Sequence, residues 1–224
     1  MLYQILTGQI GATELVALLI ALVFGISVHE FAHAAAATWL GDPLPGRQGR
    51  LTLAPAAHLD VMGSLMFLIG GFGWGKPVQY NPYALRASPR VGPAIVAVAG
   101  PISNIILAVI VAIVVRLLLF VFGENLLGFG LSQGIASVLF GLLIGIVYYN
   151  LLLSFFNLIP VFPLDGFTIL QGLLPPALAD AFESTRQYGF FVLLLLVFAS
   201  SSVLGPILYR PIDALLQLLI FAGT

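Results

Sequence analysis

The chain has 224 residues, of which 60% are apolar and 8% charged, against about 25% charged in ordinary soluble domains, so a water-soluble surface cannot be built from it. Its net charge of −1 leaves no basic stripe to neutralise phosphates, which argues against nucleic acid as a partner. With no cysteine, thiolate metal sites, iron–sulfur clusters and disulfides are excluded, and any metal must rest on histidine and carboxylate.

Several apolar stretches exceed the roughly 18 residues that cross a bilayer core as helix, so the expected class is an all-α polytopic membrane protein with about five to six transmembrane helices. The first Lys or Arg is Arg47, so no positively charged n-region precedes the first apolar run, and that run is expected to stay in the mature chain. Residues 10–40 form one long helical candidate, stopped by Gly41, Asp42 and Pro43. Within it lies His29-Glu30-Phe31-Ala32-His33. Two histidines four apart stand about 40° around the axis and one turn along, so both imidazoles can aim at one ion. The H-E-x-x-H pattern pairs such ligands with a glutamate acting as general base. In an apolar run, unpaired ionisable groups would cost several kcal/mol and are functional by default, although an internally bonded polar cluster that only packs helices is the simpler alternative.

A polar loop with Arg47 and Arg50 follows, then a short apolar piece at 61–69 that runs into Gly70-Gly71-Phe72-Gly73-Trp74-Gly75. That stretch is too glycine-rich for stable helix. It reads either as an interfacial loop anchored by Trp74 or as an extended strand near the site, with Gly73 and Trp74 meeting substrate. His58 in the same region is a candidate oxyanion donor or ligand-supporting group, or an ordinary interfacial histidine. If residues 57–80 form a re-entrant or strand-like piece rather than a span, Arg47, Arg50, Lys76, Arg86 and Arg90 share one side. The positive-inside rule then puts residues 41–90 in the cytoplasm and the N-terminus outside.

Long spans are expected over 91–122 and 135–159, and two further apolar runs at 190–203 and 212–221. Asn104 and Asn157 are amides in or beside these spans and each needs a partner. Asn104 fits either helix packing or a role in the site. Asn157, two helical turns before Asp165, fits bonding to a substrate backbone or orienting a ligand. Gly141 and Gly145 form a small-x-x-x-small pair suited to close helix packing. A catalytic zinc needs a third protein ligand. Glu14 is about 22 Å and Asp42 about 14 Å from the histidines by helical rise, and both are too far. Glu124, Asp180, Glu183 and Asp213 sit in expected loops or at span ends, so Asp165, directly after a long span, is the best candidate. It also fits an N-cap for a short helix over 167–173.

HEFAH on one span, Gly100-Pro101-Ile102-Ser103-Asn104 on the next, and Asn157-x-x-Pro160-x-x-Pro163-Leu164-Asp165-Gly166 after the third together resemble the site-2 protease family of intramembrane zinc metalloproteases. The resemblance covers residues 20–170 and includes no PDZ domain. It implies one Zn²⁺ per chain on His29, His33 and Asp165, Glu30 as catalytic acid/base, and transmembrane segments of other proteins as substrates in regulated intramembrane proteolysis. It further implies one membrane-embedded domain over 1–224, with a motif core at about 10–173 and a C-terminal helical pair at about 187–222. The setting would be a prokaryotic-type cell membrane with the site toward the cytoplasm. Two rivals compete: a transporter relaying protons or metal ions, which would need polar groups through the full membrane depth, and an inactive scaffold, which an intact Glu30 disfavours.

Overall fold

The computed structural model describes residues 12–70, 73–122, 133–198 and 205–221, and within them the chain is mostly helical with no strand. Three helices carry the architecture: α1 (Ala12–Trp39), α3 (Val91–Phe122) and α4 (Gln133–Asn157). Each contains a stretch long and apolar enough to cross a membrane, Leu18–Trp39, Val91–Val121 and Val138–Asn157. The three pack on one another in every pairing.

The reason lies in where small residues fall. Along α3, Val96, Gly100, Asn104, Ala108, Ala112 and Val115 recur at helical spacing and are buried, whereas Ile102, Ile106, Ile110, Ile113, Leu117 and Phe120 recur on the opposite face and are exposed. Lipid tails are as apolar as leucine, so burying large side chains gains little in a bilayer. Small residues that let backbones approach decide which face turns inward. Gly25 does this for α1 against α4, since a Cβ there would stand 2.7 Å from Leu153 Cδ1. Gly141 and Gly145 do not, because nothing lies within 4 Å of either position among the described residues.

Between α1 and α3 the chain turns at Gly41, whose φ of +111° suits only glycine. Buried Asp42 secures that turn by accepting from the amides of Leu44 (3.0 Å) and Asn81 (2.6 Å). The short apolar piece forms α2 (Val61–Gly70). Ten residues rise about 15 Å as helix, half the thickness of a bilayer core, so α2 is too short to cross. Residues 73–80 then run extended, with a single antiparallel β-bridge among the described residues, Leu59 with Gly75. Gly71 and Phe72 lie outside the described residues.

After α4 the chain enters α5 (Asp165–Leu173), packed on α3, followed by α6 (Pro176–Glu183) and α7 (Arg186–Phe198). The last stretch is α8 (Arg210–Leu216), flanked by wide π-helical turns at Gly205–Tyr209 and Gln217–Phe221. The two C-terminal apolar runs thus appear as helical segments shorter than a span among the described residues, and the three candidate spans stand beside the expected five to six. The loop with Glu124 lies outside the described residues.

Candidate metal centre

His29 and His33 project from α1 toward α3, and the chain reversal after α4 brings Asp165 against both. His29 Nε2 and His33 Nε2 are 3.0 Å apart, and Asp165 Oδ2 lies 3.0 Å from the first and 3.4 Å from the second. All three side chains are largely buried. Asp165 is the first residue of α5, with Leu164 preceding it as the cap and no side-chain cap bond, so the N-cap alternative for Asp165 is corrected. Its carboxylate is free for the histidines.

The hydrogen bonds behind the imidazoles decide what the three atoms can bind. His33 Nδ1 lies 2.8 Å from the carbonyl oxygen of Val96, which only accepts, so Nδ1 carries the hydrogen. His29 Nδ1 lies 2.7 Å from Asn104 Oδ1 and likewise donates. Both Nε2 atoms therefore offer lone pairs to the same point as a carboxylate oxygen. Three acceptors at 3.0–3.4 Å repel unless a cation sits among them.

Tetrahedral zinc with ligand bonds of about 2.0–2.2 Å separates its ligands by roughly 3.3–3.5 Å, so the observed spacing fits such an ion with little movement. These three residues can hold a metal ion. Asp165 Oδ2 finds no good hydrogen bond despite its short contacts, as expected when the opposing nitrogens carry no hydrogen.

Gly100 of α3 backs the rings. A Cβ at that position would stand 2.5 Å from His33 Cε1 and Nε2 and 2.6 Å from His29 Cε1, so only glycine lets α3 approach the pair this closely. In front lies a cavity of about 350 Å³ into which His29, His33, Glu30 and Asp165 open. Glu30 Oε2 is buried without a hydrogen-bond partner among the described residues. Gly75 stands close enough that an added Cβ would be 3.2 Å from Glu30 Oε1.

The other predicted residues divide. Gly73, Trp74 and Asn157 line the cavity, and Asn157 Nδ2 donates to Leu153 O of its own helix at 2.9 Å. Asn104 supports His29 directly. His58 does not line the cavity, and its Nε2 donates to Thr52 O at 2.6 Å, so its side chain braces a loop rather than the metal ligands. Its backbone carbonyl accepts from the Lys76 amide at 2.6 Å and so helps position the extended segment. Buried Arg50 completes that brace, donating to the carbonyls of Ala57 (2.5 Å), Lys76 (3.1 Å) and Pro77 (3.1 Å).

Two residues escaped sequence reasoning. Tyr80 lines the cavity, and burial, reinforced by the Asp165 carboxylate, pushes its phenol above the ordinary value, keeping it a hydrogen-bond donor. Asn150 is fully buried behind Asn104. Its only sequence signal was an amide inside an apolar span.

Comparison with known proteins agrees with this chemistry. "Putative zinc metalloprotease YwhC" of Bacillus subtilis is 38% identical over 203 residues, covering 90% of each chain. "Putative zinc metalloprotease Rip2" of Mycolicibacterium smegmatis is 29% identical over 185 residues, 78% of this chain and 64% of its own length. Rip2 of Mycobacterium tuberculosis is 29% identical over 180 residues, 78% of this chain and 63% of its own. No family model matches the chain, and no solved structure matches it.

Proposed function

The chain belongs to the site-2 protease family of zinc metalloproteases, and from that premise we propose that it hydrolyses peptide bonds within or beside transmembrane segments of other membrane proteins, in regulated intramembrane proteolysis. The observation that carries this reading is the convergence of His29, His33 and Asp165 on one point beside Glu30, whose Oε2 has no partner among the described residues, among apolar helices.

One zinc per chain would rest on His29, His33 and Asp165, supplying Lewis acidity toward the scissile carbonyl and lowering the pKa of the attacking water. Glu30 takes the proton from that water as the carbonyl carbon is attacked. It then returns the proton to the departing amine, which ends the step with Glu30 as it began. Asn104 holds His29, and Val96 O holds His33, in the orientation that leaves each Nε2 free.

A substrate helix hides its carbonyls in i to i+4 bonds and must unwind to be cut. Residues 73–78 offer backbone hydrogen-bonding groups beside the cavity, and the Asn157 amide offers a further one. Their role is to replace the bonds the substrate loses. The whole chain, 1–224, acts as one domain, with the motif core at about 10–173 holding the chemistry. The basic loop residues orient the site toward the cytoplasm of a prokaryotic-type membrane.

The test is cleavage of a panel of single-span substrates by the purified protein in detergent. A chelator should stop cleavage and added zinc restore it. Each Leu→Gly change in the substrate span should make unwinding easier by about 1 kcal/mol and cleavage faster by roughly fivefold. Undiminished cleavage in chelator, or indifference to helix-breaking residues, would remove the proposal.

A further inference from the structure

Behind His29 runs a chain of buried amides that the reaction itself does not use. His29 Nδ1 donates to Asn104 Oδ1 (2.7 Å), and Asn104 Nδ2 donates both to Gly25 O of α1 (3.0 Å) and to Asn150 Oδ1 of α4 (2.8 Å). Asn150 Nδ2 in turn donates to Ile146 O (2.8 Å). Asn104 and Asn150 are both fully buried, so no water competes for these bonds.

Every link has the same polarity. Ile146 O only accepts, which fixes the Asn150 amide with its nitrogen toward Ile146 and its oxygen toward Asn104. That oxygen, with Gly25 O, fixes the Asn104 amide with its nitrogen toward the two acceptors. Turning the Asn104 amide over would set its oxygen against both of them and its NH₂ against His29 Nδ1. His29 would then place its hydrogen on Nε2, the atom that faces His33 and Asp165, and offer no lone pair there. Unsatisfied polar contacts of this kind cost about 1–3 kcal/mol each in a dry interior, enough to bias the amide strongly.

The geometry points to Asn150 as a positioning residue: acting through Asn104, it holds His29 in the tautomer that presents Nε2 to a metal ion. This rests on the zinc-site reading given above. The competing explanation is that the two amides only bond helices together, as polar groups in membrane spans often do. The two differ in what happens at His29 when Asn150 is changed.

The chain has three histidines, so ¹⁵N-histidine labelling of the full-length protein in detergent gives few ring signals to assign. Two quantities are compared in wild type, Asn150→Leu and Asn150→Asp: zinc affinity by competition with a chelator, and water exchange of the His29 Nδ1 hydrogen, read in zinc-loaded and zinc-free protein. Asn150→Leu removes the acceptor for Asn104. It is expected to weaken zinc binding 10- to 100-fold, the range typical of lost ligand support, and to speed Nδ1 hydrogen exchange at His29 at least tenfold. The His33 Nδ1 hydrogen, bonded to Val96 O, should not change. Asn150→Asp, neutral in this apolar setting, keeps an acceptor for Asn104 and a donor for Ile146 O, and should stay within threefold of wild type on both measures.

Unchanged zinc affinity and exchange in Asn150→Leu would overturn the assignment. So would equal disturbance of His29 and His33, or equal losses in both variants, since either would mark a general packing defect. If wild type itself bound no zinc, the metal-site reading would fall, while His29 exchange in the zinc-free protein would still decide the role of Asn150.

Discussion

Glu30→Gln is expected to lower peptide cleavage by about a thousandfold or more, within the range attributed to general acid/base groups and at its upper end because one residue serves both proton transfers. Glutamine has nearly the same shape but cannot accept and return a proton. The substitution should leave the rest of the site intact, because neither carboxylate oxygen of Glu30 joins the His29, His33 and Asp165 group. Bound zinc should therefore equal that of wild type. Thermal stability in detergent should not fall, since Glu30 Oε2 is buried without a partner among the described residues and an unpaired buried carboxylate oxygen favours the unfolded chain. This combination is diagnostic. Loss of activity together with loss of zinc would mean that Glu30 supports the ligands, and retained activity would assign the base elsewhere.

The second large effect is expected at Gly100, where no chemistry occurs. Alanine there would place a methyl carbon 2.5 Å from His33 and 2.6 Å from His29, against both rings at once. These rings are held behind by Val96 O and Asn104 Oδ1, so they cannot retreat without breaking the bonds that orient them. Either the imidazoles or α3 must move by about 1 Å, and a shift of that size in a reacting constellation costs on the order of 100-fold in rate. Gly100→Ala should lower cleavage by about that factor, with weaker zinc retention against a chelator. Gly141→Ala is the control, because its Cβ would meet nothing within 4 Å among the described residues, and it should behave as wild type. Matching losses in the two variants would trace the effect to helix propensity or folding rather than to the imidazoles.

What could be read from the sequence follows from how local each feature is. The histidine pair was legible because a helix places positions four apart on one face whatever surrounds it. Asp165 was legible by reach, since the nearer carboxylates are too far along the same helix. Its conformation was not, because the choice between capping a helix and starting one depends on where Leu164 turns. The glycine-rich stretch at 70–75 announced the end of a helix, and its described residues after Gly70, 73–75, are not helical. Its pairing could not be foreseen, because a bridge from Gly75 to Leu59 depends on how Arg50 and His58 fold the preceding loop. The roles of Gly100 and Asn150 were hidden for the same reason: a glycine or amide in an apolar span looks alike whether it faces an imidazole or another helix. The C-terminal runs were apolar enough to suggest spans, and of the first of them the described residues include the helix Arg186–Phe198, with 199–204 outside the description.

The central claim is that Asp165 joins two histidines of one helix to hold zinc. Metal analysis of the purified protein, wild type beside Asp165→Ala, tests it most directly. One zinc per chain is predicted for wild type, falling well below that in Asp165→Ala after dialysis against a weak chelator. Full zinc content in Asp165→Ala, or none in wild type, would contradict it.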